Sequence, residues 1–135
     1  MPSDELELVE RAFTLLDSDT YERALELVDD RFEMVTTADV ASEPDVYRGP
    51  DGVRRWWESF LEAMDHVGLD AGRFHEVGDG RVIVEFKIRA RGSRSGIETE
   101  QPAVGLATVG GGKLRRLEFF TSLERAREAA GLPPS

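Results

Sequence analysis

The fold is decided by the stretch YRGPDGVRRWWESFLEAM, which occupies residues 47–64. Glycine, proline and aspartate at 49–51 mark a helix start, because the φ angle of proline suits the first helical turn. From Val53 onward, apolar residues recur at i, i+3, i+4, i+7, i+8 and i+11, which is the spacing of one helix face. These residues are Val53, Trp56, Trp57, Phe60, Leu61 and Met64. The stretch therefore predicts an amphipathic helix with an aromatic apolar face.

After this helix, the chain alternates apolar and polar residues with the period of two that β-strands have. In residues 81–91 the even positions are apolar and the opposite face is charged. In residues 67–77 the apolar side chains fall mostly on odd positions, a parity that Arg73 and His75 share, and Phe74 is the exception. Glycine-rich turns separate the predicted strands at 78–80, 92–96 and 110–112. The pattern predicts a run of antiparallel strands.

The segments on either side complete the predicted order of elements. Apolar spacing and turn residues predict helices over 3–16, 21–28 and 122–130, a strand over 32–37 and a loop over 38–49. Helices first and antiparallel strands afterwards indicate the α+β class, with a curved sheet wrapped around the helices. We expect a single domain spanning residues 1–135.

Composition argues against several classes of protein. The chain has 17 Lys and Arg against 27 Asp and Glu, and a net charge of −10 disfavours binding to nucleic acid or to an anionic membrane. The acidity belongs to residues 1–66, with 18 acids and 6 bases, because residues 67–135 have 9 acids and 11 bases. The absence of cysteine excludes disulfides and thiolate catalysis. No signal-peptide core or bilayer-length apolar run is present, so a cytoplasmic protein is expected.

Two groups of residues resemble a known family. Residues 47–53 open the aromatic helix, and Gly112-Lys113-Leu114 is followed by Phe119, Glu124 and the segment 129–132. In this order they resemble the SnoaL-like group of the nuclear-transport-factor-two-like superfamily over nearly the whole chain. The hairpin at 89–96 is similar to one common in bacterial members. The resemblance implies an α+β cone of antiparallel strands closed by helices, usually dimeric, with a pocket at its open end.

The resemblance leaves the reaction undecided, because relatives include cyclases, isomerases, hydrolases and members with no known reaction. Steroid isomerases of this fold have a carboxylate base after the first strand, where this chain has Met34 and Val35. Their tyrosine on the first helix and their acid on the penultimate strand would fall near Ala12 and within 103–109, which hold neither. These departures argue against steroid isomerisation. A cofactor-free cyclase, isomerase or hydrolase would need an inward acid–base residue.

His75 is the candidate for that catalytic role. If odd positions of its strand face the interior, an imidazole lies on an apolar wall, where it serves as a base or a hydrogen-bond acceptor. Arg73 has the same parity and would bind a carboxylate or enolate on the ligand. If Phe74 is the inward residue instead, His75 turns outward to solvent.

Large apolar side chains supply the rest of a candidate pocket. They are expected to line a mostly apolar wall that suits a small apolar or aromatic molecule. With Thr121 at the end of the last strand, these ligand-binding candidates are Tyr47, Trp56, Trp57, Phe60, Phe86, Leu117 and Phe119. On the penultimate strand the parity stays open: Ala103, Gly105 and Ala107 facing inward would leave a roomy cavity, whereas their larger neighbours would fill it.

The remaining polar residues suggest a surface rather than chemistry. Lys87, Arg89 and Arg91 lie on one strand face, which favours cross-strand ion pairs or a homodimer through the sheet. His66 and His75 are nine residues apart with no ligand-like pattern, so neither a metal nor a cofactor is expected. The leading hypothesis is a small-molecule-binding protein. Its alternatives are a cofactor-free enzyme that uses His75 and an interaction module whose cavity is filled by its own side chains.

Overall fold

The computed structural model describes residues 3–36, 45–62 and 64–133. The helices are α1 (Asp4–Leu15), α2 (Tyr21–Ala24), α3 (Gly49–Leu61) and α4 (Leu123–Ala129), and a 3₁₀ turn spans Leu25–Leu27. The strands are β1 (Val28–Thr36), β2 (Asp45–Arg48), β3 (Met64–Gly78), β4 (Arg81–Gly92), β5 (Glu98–Gly110) and β6 (Lys113–Phe120). Among the described helices, none combines the length and the apolar character needed to span a membrane.

All six strands form one curved, unclosed sheet in the order β2-β1-β6-β5-β4-β3. Neighbouring strands are antiparallel except for β1 and β6, which run parallel. The α+β prediction is therefore confirmed, with the refinement that the sheet is mixed. Because β1 lies beside β6, the first and the last strand of the chain are neighbours inside the sheet.

The sheet has two faces with different coverings. The inner face packs against α1 and α3, and its core includes Phe32 and Val84 from the strands and Trp57 from α3. The outer face carries α4, whose Ala126 packs against a smaller apolar patch around Ile83. Helices on the concave side and one short helix on the other thus bury both apolar faces of the central strands.

A β-bulge in β3 decides which of its side chains enter the core. Ala71 pairs with Phe86 and Arg73 pairs with Glu85, so Gly72 has no partner on β4. The extra residue reverses the facing of everything after it. Phe74 consequently packs on the inner face against the ring of Phe13, with centroids 6.3 Å apart.

Glycine suits the bulge position because the neighbouring backbone comes close. A Cβ at Gly72 would lie 3.2 Å from the carbonyl oxygen of Glu85. The interpretation that placed Arg73 and His75 on the inner face was wrong, and the alternative with Phe74 inward is confirmed.

The packing of strand β5 shows which of its side chains face the inner core, a question that the sequence leaves open. Its small residues Ala103 and Ala107 belong to the inner core, whereas Val104 and Leu106 belong to the outer patch. A Cβ at the intervening Gly105 would lie 3.2 Å from Leu117 Cδ1, so bulky neighbours already occupy the space that the small residues leave. Small inward residues therefore admit aromatic side chains instead of creating a void.

Three element boundaries differ from the sequence predictions. Residues 45–48 form β2 within the predicted loop. Asp45 pairs with Thr36 of β1 and donates its backbone N–H to the Thr36 hydroxyl. The predicted second helix ends early, since the chain is already in β1 at Val28. Strand β3 begins at Met64, two residues before His66. The loop acids Asp39 and Glu43 lie outside the described residues.

Truncating a core ring tests this packing. We expect Phe32→Ala to lower the free energy of unfolding by about 3–5 kcal/mol, because the ring is 1 % exposed in the inner core. Ile97→Ala is the control, since Ile97 is 63 % exposed and its removal should stay within about 0.5 kcal/mol. Urea unfolding measures both variants, and equal losses would contradict the described core.

Candidate functional site

Three aromatic side chains meet at one end of the inner face. Trp56 stacks on Phe119 with centroids 5.8 Å apart and an interplanar angle of 20°. Phe60 meets Trp56 edge-on at 4.7 Å. We call Trp56, Phe60 and Phe119 the aromatic floor. Trp56 and Phe119 are 5 % and 4 % exposed, whereas Phe60 is half-buried and forms the accessible edge.

The local sequence places these rings together. Trp56 and Phe60 are four residues apart on α3 and therefore lie on one helix face. Phe119 lies on the inner face of β6 opposite Gly105, which has no side chain to displace it. The helix pattern that identified Trp56 and Phe60 in the sequence thus predicts their proximity, and the β5 glycine makes room for the third ring.

The rings continue inward from the floor as an unbroken series. Phe119 contacts Phe86 at 5.7 Å, and Phe86 contacts Phe13 of α1 at 5.4 Å. Of the sequence-predicted wall residues, Trp56, Phe60, Phe86 and Phe119 are therefore brought together. They touch one another instead of surrounding an open space.

The interior beside these rings is nearly filled. A cavity of about 10 Å³ lies among apolar side chains that include Phe32, Met34 and Leu117. One water molecule needs roughly 10–15 Å³ together with polar partners, so this cavity excludes an organic ligand in the described conformation. Leu117 thus lines a packing defect rather than a ligand site.

Tyr47 and Trp57 have different surroundings from the floor. Tyr47 on β2 is half-buried, and the Arg55 guanidinium lies 5.2 Å from the centre of its ring. Trp57 is 0 % exposed and stacks on Tyr21 at 5.3 Å. Trp57 is therefore a core residue, and Tyr47 is a rim residue.

His75 lies on the outer face, away from the aromatic floor. Its Nε2 atom is 2.8 Å from Glu85 Oε2, and both side chains are more than a third exposed. Arg73 and Thr121 line an open groove of about 640 Å³ on this same face. The bulge at Gly72 is the reason, because it turns the odd-numbered side chains after it outward.

Charged groups in the described ranges lie at the surface. None of the described polar or charged side chains is buried. On the outer face Arg89 Nε and Nη2 donate to the two Asp70 oxygens at 2.9 Å and 3.2 Å, and this hydrogen bonding raises the pKa of Arg89. The aromatic floor therefore offers ring stacking and dispersion to a ligand, and Asp45 of β2 has the inner parity of Tyr47 and pairs with Thr36, the β1 partner of Phe119.

The structure also joins polar residues that sequence spacing does not connect. His66 Nε2 lies 3.2 Å from Asp17 Oδ2, and His66 Nδ1 lies 3.1 Å from the Ser18 hydroxyl. The sequence signal available was Asp17-Ser18-Asp19, which interrupts the first helical pattern. Nothing local in the sequence indicates that His66 on β3 meets this segment.

Comparison with known proteins agrees with the described architecture. Residues 9–117 match the model of the SnoaL-like domain. No curated protein matches the chain significantly.

Solved structures show the same fold at low sequence identity. An NTF2-like protein of unknown function from Burkholderia pseudomallei superimposes with a TM-score of 0.75 at 14 % identity, covering 97 % of this chain and 98 % of that one. TerC, co-crystallised with polyporic acid, gives 0.75 at 19 % identity, covering 93 % and 97 %. A candidate SnoaL-like polyketide cyclase from Jannaschia sp. CCS1 gives 0.71 at 18 % identity, covering 97 % and 94 %.

The outward position of His75 and the buried position of Trp56 can be compared through the free energies of unfolding of their alanine variants. We expect His75→Ala to change the free energy of unfolding by less than about 1 kcal/mol, because the pair with Glu85 is partly exposed. Trp56→Ala should cost about 3–5 kcal/mol, since its ring is buried against three other rings. Chemical denaturation compares them, and a large loss at His75 would contradict its outward position.

Proposed function

Since the chain belongs to the SnoaL-like domain family, we propose that it binds a small apolar or aromatic molecule on the aromatic floor. The observation that carries this proposal is the Trp56–Phe119 stack with the half-buried edge of Phe60 beside it. A planar molecule gains dispersion and ring-stacking contacts on such a surface.

Further half-buried apolar side chains on the inner face support the proposal that an apolar molecule binds there. Tyr47, Met64 and Ile88 pack against the inner core and remain partly accessible. Binding requires Phe60 to rotate, because the faces of Trp56 and Phe119 are occupied by each other. The ligand therefore substitutes for a ring–ring contact that the free protein already makes.

The chemistry of the floor favours binding over catalysis. A reaction would need a charged or proton-transferring group near the ligand, and the described side chains that the floor rings pack against are apolar. The enzyme alternative based on His75 loses its geometric premise, because His75 pairs with Glu85 on the outer face. TerC, which was co-crystallised with polyporic acid, provides an example of a protein with this fold studied with a small molecule.

A second candidate function is favoured by the filled interior. The cavity of about 10 Å³ and the continuous ring contacts fit an interaction module stabilised by its own side chains. In that case the outer face, with Lys87, Arg89 and Arg91 on β4, would form a homodimer. Cross-strand acids such as Glu98 and Glu100 give this face both signs of charge, as a self-complementary surface needs.

A planar probe distinguishes ligand binding from a filled module. The chain has two tryptophans, whose indole N–H groups we expect to give separate NMR signals because their surroundings differ. We expect 1-naphthol to shift the Trp56 signal in a saturable way and to move the Trp57 signal less, because Trp57 is fully buried behind Trp56, which it contacts edge-on at 5.1 Å, and does not reach the accessible edge of the floor.

Two ring truncations are matched controls for this titration. Phe60→Ala removes a half-buried ring beside Trp56, and Tyr21→Ala removes a half-buried ring beside Trp57. Only Phe60→Ala should change the affinity for 1-naphthol. Unshifted Trp56 signals at saturating probe, or equal effects of both variants, would reject the aromatic floor as the site.

Charge reversal tests the proposed dimer. Sedimentation should show a dimer that Lys87→Glu weakens, because a unit of positive charge on the outer face becomes negative. Arg11→Glu on α1 is the control, since α1 packs on the opposite face. Equal sedimentation of wild type and the Lys87 variant as monomers would remove the outer face as a dimer surface.

A further inference from the structure

We propose that Asp17, Asp19 and His66 form a site for a divalent transition-metal ion, with Zn²⁺ as the best match. One donor atom from each residue lies within 4.8 Å of the others. The side chains of Asp17 and His66 are 27 % and 28 % exposed, and Asp19 is exposed. The three donors thus converge at the edge of β3, where an ion from solvent can reach them.

The separation of the two central donors fits shared coordination. Zinc lies about 2.0–2.2 Å from imidazole nitrogen and carboxylate oxygen, so two such ligands at octahedral or tetrahedral angles are roughly 3.0–3.4 Å apart. His66 Nε2 and Asp17 Oδ2 are 3.2 Å apart. An ion can therefore bind between them with little movement of either side chain.

Backbone hydrogen bonds hold the two segments in register. Ser18 N donates to Val67 O at 2.7 Å, and Leu69 N donates to Leu16 O at 2.9 Å. Asp17 consequently pairs with Gly68 as a β-bridge at the sheet edge. The donors come from segments that the fold fixes before any ion arrives, which lowers the ordering cost of binding.

Gly68 leaves space directly beside the carboxylate. A Cβ at this position would lie 2.9 Å from Asp17 Oδ2, closer than ordinary packing allows. The glycine thus lets the Asp17 carboxylate approach the strand, and Arg89 Nη2 lies on the same side, 3.4 Å from where that Cβ would be. A larger residue at 68 would push Asp17 away from the imidazole.

Ser18 supplies the outer partner that a metal-binding histidine needs. Its hydroxyl oxygen lies 3.1 Å from His66 Nδ1. When Nδ1–H donates to this oxygen, the lone pair of Nε2 points toward Asp17 and is available to an ion. In the other neutral tautomer Nε2–H donates to Asp17 and Nδ1 accepts from the Ser18 hydroxyl, so metal binding moves the imidazole proton from Nε2 to Nδ1 with no net proton loss from the ring.

Charge and donor type select the kind of ion. Two carboxylates and a neutral imidazole balance a dication. The neighbouring Arg89 is held by both oxygens of Asp70 at 2.9 Å and 3.2 Å, which offsets its positive charge. Imidazole with carboxylates favours zinc and other first-row ions over magnesium or calcium, which prefer oxygen donors alone. Water would complete the coordination.

The second histidine is an internal control. His75 also lies near a carboxylate, with Nε2 2.8 Å from Glu85 Oε2. Within the described residues, the only three-donor group is Asp17, Asp19 and His66. Each histidine therefore has one carboxylate partner, and only His66 has a third donor residue close by.

Zinc titration of the untagged, metal-free protein tests the site. Calorimetry with ZnCl₂ should show one ion per chain, and NMR should show the ¹⁵N signals of His66 changing to the Nδ1–H form while those of His75 stay unchanged. His66→Gln and Asp19→Asn should each weaken zinc binding by about tenfold or more, because loss of even an outer partner typically costs about 10–100-fold. His75→Gln should leave the affinity unchanged.

Three outcomes would overturn the proposal. They are absence of binding at millimolar zinc, an equal loss of affinity in His75→Gln, or an unaltered affinity in Asp19→Asn. Asp19 is exposed, so its variant keeps the test valid if His66→Gln fails to fold. Readout at the imidazoles keeps this test separate from 1-naphthol binding, which is read at Trp56.

Discussion

The pairing of β3 with β4 across the bulge at Gly72 is the constraint that decides which face of the sheet receives Arg73, Phe74 and His75. The extra residue turns Phe74 toward α1 and sends Arg73 and His75 to the outer face. Without it, a charged arginine and an imidazole would face the apolar core, at a desolvation cost that the fold avoids. One unpaired glycine thus separates an apolar inner face from a charged outer one.

The inner face then follows from ring packing. Small residues on β5 leave room for Phe86 and Phe119, and α3 adds Trp56 from the other side. Each ring contacts the next, so the cone is stabilised by the same side chains that would meet a ligand. Ligand binding at the aromatic floor and the stability of the fold are therefore coupled, because a bound ligand must replace a ring contact that already contributes to folding.

Sequence patterns predicted the parts that depend on local periodicity. Helix α3 and strand β4 show their periods clearly, and the family resemblance extended them to the whole fold. The facing of His75 was decided by a bulge, for which Phe74 at the wrong parity was the available signal. Proximity of Asp17 to His66 depends on edge pairing between distant segments, which periodicity does not encode. Contact of the α3 rings with Phe119 likewise depends on the packing of α3 against β6, two segments far apart in the sequence.

The parallel pairing of β1 with β6 also constrains how the chain can fold. Val28 lies beside Leu114, so this central contact joins segments from opposite ends of the sequence. The hairpins β3–β4, β4–β5 and β5–β6 close over short turns and can form earlier. Loop-closure entropy delays the β1–β6 contact. During synthesis, β1 with its core residues Phe32 and Met34 therefore leaves the ribosome well before β6. It can pair with β6 only after nearly the whole chain has been made.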